Sequence, residues 1–366
     1  MTDHNDSQHC EHSSVDLEKL RALGGFEDGA LSQAPAFLPE TLEGDFGILV
    51  FDWRNEKTDL DSFFLQYFKS IARKSRFSFF SNRKALGWLK SIKEQTAHEK
   101  SASSFEVTVP ANRFSASLFH TLQTNSPKAH ISGGDCFLGD KPAVNLFLQT
   151  FKQNPKRNWA LLSLNPFYSH SLFGNFLRQL RKDIHPLEFK KRIRILPPFC
   201  QHFSYQKLLF KTIQEKLGEL PKEAPTALIF TTLALPESQK QFDPYYEQFR
   251  KSTHSVFELI EETHQASLTS ERAVFTHPDS WSVTLPTLHA TLNSLGSKEI
   301  PPSVLICPCT PLEMSLAKAL VQREFSSTHL DHPGTHLALP NWTDPEFLES
   351  LSELVSYEFS KFTPPA

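Results

Sequence analysis

Short apolar runs alternate with stretches of helical periodicity along most of the chain. FGILVF (46–51) predicts a buried strand, and DSFFLQYFKSI (61–71) behind it carries its apolar residues at helical spacing. The unit recurs: WALLSL (159–164) precedes SLFGNFLRQLRK, and RIRIL (192–196) precedes SYQKLLFKTIQEKLGEL. In the second half TALIF (226–230), AVFT (273–276), PSVLICP (302–308) and HLALP (336–340) take the strand part, and EFLESLSELVSYEF follows as a helix. Runs without polar alternation fit strands covered on both faces. The pattern therefore predicts an α/β protein with parallel sheets.

The two halves also echo each other. RIRILPPFCQHFSYQKLL and THLALPNWTDPEFLESL each give a strand, a Leu-Pro exit, an aromatic residue and a helix; WALLSLNPFYSHSLFG and SVLICPCTPLEMSLA form a second strand–Pro–helix pair. This predicts two similar Rossmann-like lobes, over 45–205 and 206–366, with a crevice between them at the strand C-termini. One large doubly wound sheet is the alternative. Residues 1–44 are read as a polar extension too poor in apolar side chains to offset the entropy of ordering. Its His4, His9, Cys10 and His12 have a spacing that fits no closed tetrahedral metal site.

Composition narrows the function. With 38 Lys+Arg against 41 Asp+Glu the formal charge is −3, so no global basic field points to nucleic acid. Only 13 glycines are present, and neither G-x-x-x-x-G-K-S/T nor G-x-G-x-x-G occurs, which removes the glycine-rich phosphate cradles. The five cysteines form no C-x-x-C pair, no apolar run is long enough to span a bilayer, and the start is acidic and polar. These features fit a cytoplasmic protein. The 32 Phe serve a core, or in part a crevice mouth in peripheral contact with a membrane.

Residues just after the strands are the candidate site. They include Asn165-Pro166-Phe167-Tyr168-Ser169-His170, Leu233-Ala234, His277 to Trp281, and Cys309 to Glu313. The set is aromatic, mildly polar and almost uncharged, which suits a large flat apolar ligand better than a phosphate.

These stretches resemble the ferrochelatases, which insert ferrous iron into a porphyrin late in haem synthesis. LPES (235–238) followed by DPYYEQ (243–248) is similar to their L-P-E-S and D-P-Y-x-x-Q, and LSLNPFYSHSLFGN (162–175) to their L-P-L-Y-P-Q-Y-S-x-x-T-x-G-S. GILVFDWRN resembles their opening strand and turn, and LPNWTDPEFLESLSELV their closing strand and helix. The resemblance implies the chelatase-type two-lobed fold, iron as substrate and no resident cofactor. It implies porphyrin-facing roles for Tyr168, Ser169, His170, Leu233, Ala234, Trp281 and His277, and a catalytic role for Glu313 if that residue matches the family glutamate. No residue is assigned as a metal ligand. Some members carry an iron–sulfur cluster on cysteines of the C-terminal tail; SKFTPPA contains none, so no cluster is expected.

The departures concern chemistry. Where the family has Ser-Ala-His-Gly before L-P-E-S, this chain has Thr231-Thr232-Leu233-Ala234. Metallation removes two pyrrole protons and strips water from Fe²⁺; imidazole serves that task near neutral pH and leucine does not. Glu313 aligns with the family glutamate only across a shortened PCTPLEMSLA (308–317), and is alternatively a first-turn helix carboxylate. Two functions follow from the resemblance. One is a divergent enzyme acting on protoporphyrin IX or coproporphyrin. The other is a paralogue that binds porphyrin or haem, or pairs with an active ferrochelatase, without metallation. A sirohydrochlorin-type chelatase is a weaker third, since those relatives keep histidines at the lobe strand ends.

Overall fold

The computed structural model describes residues 42–52, 111–137, 141–221, 225–235, 243–264, 268–275, 285–296, 303–311, 321 and 334–362. The expected helix over 61–71 and residues 1–41 lie outside them. In the first sheet β1 (Gly44–Asp52) lies between β2 (Ala129–Phe137) and β3 (Asn158–Ser163), with β4 (Ile193–Ile195) beyond β3. In the second, β5 (Thr226–Leu233) lies between β6 (Leu268–Phe275) and β7 (Ser303–Pro308), with β8 (Thr335–Leu337) beyond β7. Every pairing is parallel. The two sheets share one strand order, so the chain forms two similar lobes rather than one doubly wound sheet. The sequence echo maps onto this order: WALLSL and SVLICP become β3 and β7, and RIRIL and HLALP end as the outer strands β4 and β8.

Burial accounts for most of these strands. Every residue of β5 and of β7 is buried, as expected of central parallel strands covered on both faces. Strand β2, AHISGGDCF, is different. It forms a sheet edge and mixes polar residues and glycines, so it lacks the apolar run that marks its neighbours.

Helices cover both faces of the first sheet. On one, Phe114, Leu118 and Leu122 of α1 (Ala111–Asn125) meet Phe46, Ile48 and Val50. On the other, α2 (Lys141–Gln153), α3 (Phe173–Asp183) and α4 (Pro186–Arg192) form a separate core with Leu49, Phe51 and Leu161. In the second lobe α5 (Phe203–Gly218) packs on α6 (Tyr245–Thr263), and α7 (Leu288–Gly296) lies against β6. Helix α8 (Pro345–Ser360) returns to the first lobe. Its Phe359 ring lies 4.5 Å from that of Phe46, and Asn125 Nδ2 donates to Ser352 Oγ at 3.0 Å. Asp344 starts this helix by accepting from the backbone N–H of Glu346 and Phe347, ahead of Pro345 at the first position. No described helix is long and apolar enough to cross a membrane.

Candidate functional site between the lobes

The loop that leaves β3 runs directly into the second lobe. Leu164 N–H extends the sheet to Phe51 O, and Asn165 Oδ1 accepts from Phe167 N–H, turning the chain. The Phe167 ring then enters the second lobe, edge-on to Tyr205, Tyr245 and Phe249 at 5.5–6.2 Å between centroids. The next two residues are tied by polar contacts. Tyr168 N–H donates to Gln248 Oε1 at 2.7 Å, and Ser169 Oγ donates to Asp243 Oδ2 at 2.8 Å.

Asp243 is the centre of this clasp. It is 7% exposed, and Oδ2 also accepts from Ser171 N–H at 3.1 Å and Ser171 Oγ at 3.0 Å, while Oδ1 accepts from Tyr245 N–H at 3.2 Å. The following tyrosines secure the end of β5. The Tyr245 hydroxyl lies 2.7 Å from Thr232 Oγ1, and the Tyr246 hydroxyl bonds both the N–H and the C=O of Leu235. Asp243 and Gln248 of the DPYYEQ segment thus fasten the lobes, with the Tyr245 ring edge-on to Phe167, while the two tyrosine hydroxyls hold the end of β5 within the second lobe. Sequence reading quoted these residues as a motif but gave them no role; the motif was itself the available signal.

The predicted site residues fall into three groups. Tyr168 and Ser169 come together at the junction. Tyr168 is half-buried, and burial, with the neighbouring Asp243 carboxylate adding to it, raises its hydroxyl pKa above the usual range. Ser169 is buried and used up in bonds to Asp243 and to the backbone N–H of Ser171 and Leu172. His170 is solvent-exposed, with its ring edge-on to Tyr168 at 5.0 Å.

Leu233 and Ala234 form the second group. Both have 0% accessible surface and belong to the core cluster, and Ala234 N–H continues the sheet to Phe275 O. They were expected as an apolar pocket floor; in the structure neither side chain has accessible surface. Next to them Cys309 N–H bonds Thr231 O, and the Tyr205 hydroxyl donates to Cys309 O at 2.7 Å. Cys307 and Cys309 are both fully buried. The third group, His277, Trp281 and Glu313, lies outside the described residues.

Two further polar groups at the junction have shifted titration. Burial pushes the Cys200 thiol up to about 12. Burial also lowers His202 to about 4, holding the ring neutral with Nδ1 2.6 Å from Ser204 Oγ. Among the described residues no group of three His, Cys, Asp or Glu is arranged to hold a metal ion. The described part of the site is therefore aromatic, hydroxyl-rich and tightly bonded, and it presents no basic side chain at the end of β5.

A sequence model described as Ferrochelatase matches residues 62–310. A ferrochelatase of Citrifermentans bemidjiense is 28% identical over 102 residues, which cover 28% of this chain and 32% of that protein. A ferrochelatase of Geotalea daltonii is 25% identical over 121 residues, covering 33% of this chain and 38% of that protein. The matched region thus spans about a third of the length of these curated relatives. Among solved structures, SirB from Bacillus subtilis with Fe3+ is similar with a TM-score of 0.47 and 11% identity, over 88% of this chain and 99% of that one.

Proposed function

Since the chain belongs to the ferrochelatase family, we propose that it receives a tetrapyrrole, porphyrin or haem, between its lobes without inserting the metal. The observation that carries this reading is the end of β5. Where the resemblance puts a catalytic histidine and glycine, Leu233 and Ala234 offer only alkyl groups with no accessible surface. Metal insertion needs a group that takes pyrrole protons and approaches the metal, and neither residue does so. The described histidines nearby do not replace it. His170 lies exposed on its loop, and burial lowers His202 to about 4, which makes its ring a weak proton acceptor, with Nδ1 already 2.6 Å from Ser204 Oγ.

Retention of a ligand role is supported by what the junction keeps. The clasp of Tyr168, Ser169, Asp243 and Gln248 fixes the two lobes at the strand ends, where open α/β sheets bind their ligands. The alternative, insertion of Fe²⁺ by a rebuilt site, would draw on Glu313 or His277.

One assay separates them. The purified protein is given protoporphyrin IX or coproporphyrin with Fe²⁺ or Zn²⁺ under anaerobic conditions, and absorbance and fluorescence are followed. The expected result is a shifted Soret band and quenched porphyrin emission at micromolar protein, with metalloporphyrin forming no faster than without protein. Turnover that disappears in Glu313→Gln or His277→Ala would replace this reading with the enzyme. Failure to bind either porphyrin or haem at micromolar levels would remove both.

A further inference from the structure

Charge is distributed unevenly along the chain. Residues 141–195, which include α2, α3 and α4, carry 11 Lys and Arg against Asp183 and Glu188, a formal +9. The remainder carries 27 Lys and Arg against 39 Asp and Glu, a formal −12. The net −3 therefore conceals a basic layer of helices over the face of the first sheet turned away from α1 and α8.

Ion pairing divides the same way. Among the described residues outside this layer, Lys128, Lys207, Lys211, Lys216, Lys251 and Lys361 each meet a carboxylate. Within it Lys152, Lys156, Lys182, Lys190 and Lys191 are exposed and form no ion pair. Arg192 and Arg181 hold the elements that carry these charges together. Arg192 Nη2 donates to Phe151 O at 2.9 Å and Asn154 O at 2.6 Å, which sets the exit of α2, with Lys152 and Lys156, against the end of α4. The Arg181 guanidinium lies 5.1 Å from the Phe189 ring, which sets the last turn of α3, with Lys182, against α4 as well.

Helix α4 is amphipathic in an unusual sense. Phe189 and Arg192 form its buried side, whereas Leu187, Lys190 and Lys191, at spacings of three and four, share its outer side. Leu187 is 72% exposed, and the other large apolar side chain left so exposed among the described residues, Leu146 at 65%, belongs to α2 of the same layer. An apolar residue set between unpaired lysines is matched by a surface that offers anions and, beneath them, hydrocarbon. A nucleic acid offers the anions alone.

We propose that this layer docks on a membrane surface rich in anionic lipid, with Leu187 entering the boundary between headgroups and acyl chains. The lysines of α2, α3 and α4 face the lipid phosphates, their methylene stems lying along the interface. Lys156 and Lys191 stand two residues ahead of β3 and β4, at the strand starts, whereas the lobes meet at the strand ends. The contact therefore lies away from the crevice mouth and does not depend on the tetrapyrrole reading.

The test sediments the full chain with vesicles of phosphatidylcholine containing roughly 30 mol% phosphatidylglycerol, and with phosphatidylcholine alone. Binding is expected to be at least about 10-fold stronger on the anionic vesicles, and to fall as salt shortens the Debye length from ~10 Å at 0.1 M to ~3 Å at 1 M. A lysine near an anionic surface contributes about 5-fold, so Lys190→Glu with Lys191→Glu should weaken binding about 10- to 30-fold. Leu187→Ser should weaken it about 5-fold. Lys216→Glu with Lys251→Glu changes net charge equally in the second lobe and should stay within about 2-fold of the native protein. Urea midpoints check that each variant is folded, and Lys152→Glu with Lys156→Glu reads the same surface if the α4 pair is not. No preference for anionic vesicles, or an equal loss in the second-lobe pair, would overturn the proposal. So would duplex DNA binding that the α4 charge reversals abolish and Leu187→Ser leaves unchanged, with vesicle binding also indifferent to Leu187.

Discussion

Replacing Asp243 by alanine removes the acceptor on which the two lobes meet. Its carboxylate takes four donors: Ser169 Oγ, Ser171 N–H and Ser171 Oγ on Oδ2, and Tyr245 N–H on Oδ1. A hydrogen bond to a charged group contributes roughly 1.5–3 kcal/mol net, but donors sharing two oxygens do not add. The variant also leaves the Ser169 hydroxyl proton and the Tyr245 N–H buried without an acceptor, so a loss of about 4 kcal/mol is expected, as for other broken buried networks. Asp243→Asn keeps the shape but turns an amide N–H₂ toward one set of donors, and should cost about half as much. Urea unfolding followed by tryptophan fluorescence reads the midpoint, and a double-mutant cycle with Ser169→Ala isolates the clasp. A coupling of about 1–2 kcal/mol is expected for a direct bond of this kind. A loss below about 1 kcal/mol in Asp243→Ala, or no coupling to Ser169, would refute the view that this carboxylate holds the lobes together.

Three other outcomes follow from the packing. His202 has a folded pKa of about 4, below its unfolded value, so it contributes stability above pH 6.5 that is lost as pH falls toward 4; unfolding midpoints at pH 7 and pH 5 should differ by more in the native protein than in His202→Gln. The Cys200 thiol, near 12, and the buried Cys307 and Cys309 should stay unlabelled by thiol reagents until unfolding, and mass spectrometry that finds them modified at the native rate would contradict their burial. Gly47→Ala puts a methyl into the Trp159 ring and should cost about 1–3 kcal/mol in thermal or urea unfolding, whereas an unchanged midpoint would mean that the indole does not lie across β1.

The strands that the chain announces are those in which burial on both faces forces a continuous apolar run, as in TALIF and SVLICP. Strand β2 escaped notice because an edge strand needs no such run, and AHISGGDCF has none. The likeness of the halves was legible because equivalent strands lead into equivalent Leu-Pro exits. At the site, periodicity could not say what DPYYEQ does, since Ser169 and Asp243 meet across 74 residues of chain and only the fold brings them together. Leu233 shows the same limit from the other side. Its position at a strand end made it a candidate lining residue, but whether a strand end opens to a crevice depends on what packs over it, and Leu233 itself has no accessible surface.

Helix α8 gives the first lobe an unusual schedule of completion. Phe46 and Phe114 belong to the first half, yet the rings that cover them, Phe359 and Phe347, are made only after the whole second sheet. At ~5–20 residues per second, a ribosome takes on the order of ten to forty seconds between releasing β3 and reaching α8. Throughout that interval the nascent first lobe holds one face of its sheet without its final cover. The lobe that begins first is therefore among the last to finish, and the second lobe assembles while tethered to an incomplete neighbour. A circular permutant that placed residues 345–360 ahead of β1 would remove the wait and let the first lobe close before the second is made.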